Sequence, residues 1–150
     1  MYLALFGIIF GGSLSALYAI IESSDHNRAA AMVQEEGAFI IGKIDWILNH
    51  AQSIQSPVHN GSTLAVTEFD GPTATITRSH GNVLIQRGSN PAEVLNNANI
   101  SIISLAFTHT NSLGNGIDPE SIEVQMMIAA TTSSGRILER DFYTIKYLRK

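Results

Sequence analysis

Along residues 1–21 no side chain is charged, and the run MYLALFGIIFGGSLSALYAII has no polar face on any side of the helix it would form. At ~1.5 Å per residue such a helix reaches roughly 31 Å, matching the ~30 Å hydrocarbon core of a bilayer. The first charges, Glu22 and Asp25, do not end the helical pattern, because no proline occurs before Pro57. Beyond them the apolar residues thin to one stripe. Val33, Ile40, Ile44, Ile47, Ala51 and Ile54 follow at steps of seven, four, three, four and three, with Gly37 filling the long step. That spacing is one face of an α-helix. Glu35, Glu36, Lys43 and Asp45 fall opposite and predict a solvated face, on which Lys43 pairs only weakly with its neighbours. Residues 1–21 and 22–54 therefore read as the transmembrane and amphipathic halves of one helix, about 80 Å long at ~1.5 Å per residue.

Past the helix the period falls from 3.6 to 2. Residues 53–62, SIQSPVHNGS, carry the Pro, Gly, Asn and Ser of a connection. Residues 63–69 alternate Leu64 and Val66 with polar positions, 73–78 are Thr-rich around Ile76, and 83–86 follow a turn at 79–82, all strand and hairpin signals. Residues 91–95 suggest a helical turn, and Ile103, Leu105 and Phe107 one face of a further strand. After a loop at 110–119, Ile122, Val124, Met126 and Ile128 alternate with Glu123 and Gln125, and Tyr143, Ile145 and Tyr147 follow the turn residues Ser133, Ser134 and Gly135. The pattern predicts a long C-terminal hairpin. The chain is thus expected to be α+β: a long N-terminal helix packed on an antiparallel β-sheet head, residues 55–150, of about four to six strands.

Composition narrows the function classes. About 100 residues remain after Ile54, enough for one ordinary core. The net charge is −4, unevenly spread: residues 1–71 hold seven acids against two bases, a balance of −5, and the remainder balances to +1. Neither part has a basic patch able to neutralise many phosphates, so nucleic acid is not expected as a main partner. There is no cysteine, which excludes disulfides, thiol chemistry and a Cys-type zinc site. A basic n-region before the apolar run and a small-residue cleavage site after it are both absent, so the run does not read as a removable secretory signal peptide.

Chemistry-bearing motifs are few. The five histidines, His26, His50, His59, His80 and His109, include no pair at i,i+3 or i,i+4, and read as surface or loop residues. No G-x-S-x-G elbow, P-loop or H-E-x-x-H occurs, and no nucleophile, base and orienting residue can be grouped, so no enzyme is expected. Asn60 and Asn99 each open an Asn-x-Ser triplet, which carries weight only in a glycosylating host. Glu22, Asp25 and Arg28 follow the apolar run at three-residue steps, either as solvated interface anchors or as partners for a neighbouring helix. Arg136, Arg140, Lys146, Arg149 and Lys150 place positive charge on the last hairpin, where it either guards an edge strand or meets an acidic surface.

A long N-terminal helix, apolar first and amphipathic later, followed by an antiparallel sheet, resembles the type IV pilin and pseudopilin family in layout over the whole chain. MYLALFGIIFGGSLSALYAII is similar to the interior of the pilin helix, ISIISLAFTH to a central strand, and FYTIKYLRK to the last strand of minor pseudopilins of the J type and their competence-system relatives. The family's short basic leader ending in Gly, its Phe-Thr-Leu-Ile-Glu type run and the docking glutamate of that run are not found in this numbering; they would lie upstream of Met1 and are not carried over.

The resemblance implies a structural subunit held in the bacterial inner membrane by one pass, its head outside the cytoplasm. From there it would be drawn into a pilus, competence or type II secretion filament with helices inward. Its partners would be the lipid bilayer and other pilin or pseudopilin subunits. Gly7 and Gly11 form a G-x-x-x-G step, and Gly12 with Ala16 and Ser15 with Ala19 add small residues at the same spacing, which permits close helix approach. Frequent glycine in membrane helices is the plainer account. Some major pseudopilins bind calcium in a loop of the head, and Asn111, Asn115, Asp118 and Glu120 gather oxygen donors here. The spacing is not that of an EF-hand and turn chemistry accounts for the same residues, so no cofactor is expected. The alternative function is a signal-anchored extracytoplasmic binding or sensor domain that does not polymerise.

Overall fold

One helix, α1, runs without a break over Tyr2–Asn49 in the computed structural model, which describes residues 2–69, 71–111 and 119–148. It stops five residues before the spacing of apolar positions does. His50 Nδ1 donates to the Trp46 carbonyl at 2.8 Å and His50 N to the Ile47 carbonyl at 3.1 Å, satisfying two of the carbonyls a helix end leaves without partners. The chain then enters β1 (Ala51–Ser56), so Ala51 and Ile54 are strand residues and not the last turns of a stalk. Both still meet the core, because β1 carries bulges between Ala51 and Ser53 and between Ile54 and Ser56. The extra residue of a bulge places positions three apart on the same side. A bulged strand therefore mimicked helical spacing.

Eight further strands follow among the described residues: β2 (Asn60–Gly61), β3 (Thr63–Glu68), β4 (Thr73–Ser79), β5 (Asn82–Arg87), β6 (Glu93–Val94), β7 (Ile100–Thr110), β8 (Ser121–Thr131) and β9 (Ile137–Tyr147). They form two antiparallel sheets rather than one, ordered β1-β3-β4-β5-β6 and β2-β7-β8-β9. β6 occupies the place where a helical turn was expected, with Val94 opposite Leu84. In β4–β5 the two-residue turn His80-Gly81, both at positive φ, gives the twist a tight hairpin needs. That turn joins the sheets: Ile102 N donates to the Gly81 carbonyl at 2.8 Å, and Arg78 Nε to the Ile102 carbonyl at 2.7 Å.

β7 corrects a second expectation. A bulge between Ile102 and Ser104 shifts its parity, so Ile100, Ile102, Leu105 and Phe107 face the core while Ile103 is 42% exposed. The core lies between the C-terminal part of α1 and the two sheets, and Val33, Ile40, Ile44 and Ile47 are completely buried in it. Asn96, also buried, spends its whole amide there: Oδ1 accepts from Val83 N at 2.8 Å, and Nδ2 donates to Ile100 O and Asn82 Oδ1 at 3.0 Å.

Gly37 sets how closely α1 approaches β9. A Cβ built at Gly37 would lie 2.1 Å from the tip of the Phe142 ring, so the ring occupies the notch left by the absent side chain. Gly37→Ala should therefore displace Phe142 and destabilise the head by about 1–3 kcal/mol, the usual cost of overpacking. In a Phe142→Ala background the same change should be neutral or stabilising by up to ~1 kcal/mol, through helix propensity alone. Thermal melts of the four members of this cycle in detergent measure the coupling.

Candidate membrane and assembly surface

Among the described residues, the N-terminal part of α1 is exposed rather than covered by the head. Tyr2, Leu3, Phe6, Ile8, Ile9, Phe10, Leu14, Leu17, Tyr18, Ile20 and Ile21 are all exposed, Tyr2 at 91% and Ile8 at 73%. A water-facing helix with that surface would be strongly disfavoured, since each large apolar side chain left in water forgoes about 1.5–3 kcal/mol. α1 is the one helix among the described residues long and apolar enough to cross a membrane. Within this segment Ser13 Oγ donates to the Ile9 carbonyl at 2.8 Å, which satisfies that hydroxyl inside the helix. Phe6 and Phe10 stack with their centroids 5.9 Å apart.

At 3.6 residues per turn, Gly7, Gly11, Gly12, Ser15, Ala16 and Ala19 fall in one half of the circumference, shared among the described side chains with Ile8 and Tyr18. Leu3, Phe6, Phe10, Leu14, Leu17 and Ile21 fall in the other. Continued towards the C-terminus, the small half runs into Glu22, Ala29, Val33 and Ile40, the line that the head covers. The small residues thus lie on the head's side of the helix. A Cβ at Gly7, Gly11 or Gly12 would meet nothing within 4 Å, so no contact within the chain requires glycine there.

The head's first hold on α1 comes directly after the apolar run. Arg136, at the end of the turn between β8 and β9, pairs with Glu22 at 2.9 Å, and Ser133 Oγ donates to Asp25. Higher up, Arg140 donates to Gln34, and Asn97 N to the Glu36 carboxylate. The acidic stalk that Arg136 meets is therefore its own. The face expected to be solvated is also partly engaged: Lys43 Nζ lies 5.5 Å from the centre of the Trp46 ring, with Arg87 over that ring at 4.7 Å, and Asp45 has a buried, unpartnered Oδ1. Arg149 and Lys150 lie outside the described residues.

Two features of the head went unread in the sequence. His109 is 9% exposed rather than a surface residue; its Nδ1 lies 3.0 Å from the Pro57 carbonyl and its Nε2 2.9 Å from Glu120, joining the ends of β7 and β8 to the segment before β2. The second is a groove of about 610 Å³ at the C-terminal end of α1, lined by Leu48, Ala51, Phe69, Ile145 and Tyr147 between the free edges of β1 and β9. Tyr143, Ile145 and Tyr147, expected as one strand face, form an exposed stripe beside it. Loss of hydration, then the Glu123 carboxylate, raises the Tyr143 hydroxyl above the ordinary phenol pKa.

Of the proposed calcium donors, Asn115 and Asp118 lie outside the described residues, and Glu120 is engaged by His109. Among the described residues no group of three or more His, Cys, Asp or Glu side chains could hold a metal ion. Comparison of the chain with protein-family models, with characterised proteins and with solved structures finds no match.

His109→Leu should cost the head about 1–3 kcal/mol, because it leaves the buried Pro57 carbonyl without its donor and Glu120 without its hydrogen-bond partner. Glu120→Gln, which retains an acceptor, should cost less. Thermal melts of the two variants give the comparison.

Proposed function

We propose that the chain is a pilin-like structural subunit, anchored in the bacterial inner membrane by α1 with its head outside the cytoplasm. Its role is to assemble into a filament of the type IV pilus, competence or type II secretion kind. The observation that supports this reading is the division of one unbroken helix: the first half is bare and apolar on all sides, and the second half is a wall of the head's core. A surface of that kind suits lipid before assembly and other helices after it. The small residues add to the argument. Glycine in a helix interior costs roughly 0.5–1 kcal/mol relative to alanine, and at Gly7, Gly11 and Gly12 nothing inside the chain gains from the missing Cβ. A neighbouring helix would gain from it.

The second reading, a signal-anchored binding domain, draws on the groove beside Phe69 and Tyr147. Oligomer size in the membrane separates the two. Because the chain has no cysteine, Ser15→Cys and Leu17→Cys together put one thiol on the small half of the helix and one on the large half. Oxidation of membranes holding this variant should give a ladder of species well beyond a dimer, and Gly11→Leu should remove the ladder. A monomer, or a dimer and nothing larger, would favour the non-polymerising reading.

A further inference from the structure

The turn between β8 and β9 is held at a fixed height on the helix, and that height coincides with the surface of the bilayer. Glu22 and Asp25 come one and four residues after Ile21, about 1.5 and 6 Å further along the axis. The polar layer on each side of a ~30 Å hydrocarbon core is about 5–8 Å deep. Both acids therefore lie inside that layer when residues up to Ile21 are in the membrane. So do the side chains that grip them, Arg136 at 2.9 Å from Glu22 and Ser133 on Asp25.

From this juxtaposition we infer that residues 133–137 are a foot by which the head rests on phospholipid headgroups. The inference builds on the membrane-spanning reading of α1 and adds a second point of membrane contact, on the head itself. The surface chemistry fits such a partner. Arg136 remains 73% exposed although it is paired, which leaves guanidinium N–H groups free for a lipid phosphate. Beside it Ile137 is 67% exposed at the start of β9, an apolar side chain suited to the boundary between headgroups and acyl chains.

The backbone of the turn is prepared for a place where water is scarce. Thr132 N donates to the Arg136 carbonyl at 2.8 Å, Gly135 N to the Thr132 carbonyl at 2.9 Å, and Arg136 N to Thr132 Oγ1 at 3.0 Å. These bonds satisfy the backbone N–H and C=O of Thr132 and of Arg136 and the N–H of Gly135 within the turn. With α1 as one attachment and the foot as another, the head cannot swing freely about the point where the helix leaves the bilayer.

Nitroxide accessibility in phospholipid nanodiscs tests the foot with the full chain, using the variants Ser13→Cys, Ser134→Cys and Asn49→Cys, each singly labelled. The label at 13 should be shielded from a water-soluble nickel relaxant, and that at 49, far up the helix, fully accessible. The label at 134 should show at least fivefold lower nickel accessibility than that at 49. Arg136→Gln with Ile137→Ser should raise it at least twofold without changing the label at 13. If 134 is as accessible as 49 while 13 is shielded, the foot is wrong and the anchor stands. If 13 is itself accessible, the anchor fails and the foot with it. No response at 134 to the double change overturns the assignment of Arg136 and Ile137 as the contact.

Discussion

An α-helix satisfies its own backbone hydrogen bonds, as a bilayer would demand of an apolar segment that crosses it, and here the same helix continues well beyond the apolar segment. α1 leaves the apolar segment at Ile21 without a cap, a proline or a turn and continues to Asn49 as the same helix. The head is therefore built around a rod continuous with the apolar segment. Its two sheets contribute the rest of a core in which Val33, Ile40, Ile44 and Ile47 form one wall. Were the helix broken near Glu22, anchor and head would become two bodies on a hinge.

Apolar packing and polar contacts divide the work of holding the head to the helix. Each isoleucine of the wall, fully buried, contributes about 1.5–3 kcal/mol. The polar contacts along the same seam, Arg136 with Glu22 and Arg140 with Gln34, are exposed, and exposed ion pairs contribute only about 0–1 kcal/mol each. Affinity between helix and sheet therefore comes from the wall, and axial register from the Phe142 ring in the Gly37 notch. What the polar contacts add is position: they fix the far end of the β8–β9 hairpin against the first charged turn of the helix.

The parts of this architecture that depend on one segment at a time were legible in the sequence. An uncharged run of membrane length, the stripe from Val33 to Ile47, and the alternation in β3, β4 and β8 are each local periodicities. Legibility failed where a partner strand decides. The bulges in β1 and β7 each insert a residue whose effect is visible only against the neighbouring strand. They made Ala51 and Ile54 resemble helix and put Ile103 on the wrong face. His109 was unreadable for a related reason. Its two hydrogen-bond partners, Pro57 and Glu120, are 52 and 11 residues away, and no local spacing announces them. The same holds for Arg136: its charge was evident, but its partner, Glu22, lies at the other end of the chain.

Glycine serves α1 in two opposite ways, and the contrast bears on how neighbours could approach. At Gly37 the space of the absent side chain is filled by Phe142 of the same chain, whereas at Gly7, Gly11 and Gly12 it is empty. The empty positions and the filled one lie on the same side of the helix, the side the head occupies from Ala29 onwards. A second helix seated along the small residues could not continue on that side past Glu22, because the β8–β9 turn already stands there. Under the assembly reading, neighbouring helices that use this face must therefore be staggered along the axis or must diverge at that level. Side-by-side packing in register, with two heads at equal height, would require the large half of the circumference instead, where Phe6, Phe10, Leu14 and Leu17 hold the backbones further apart.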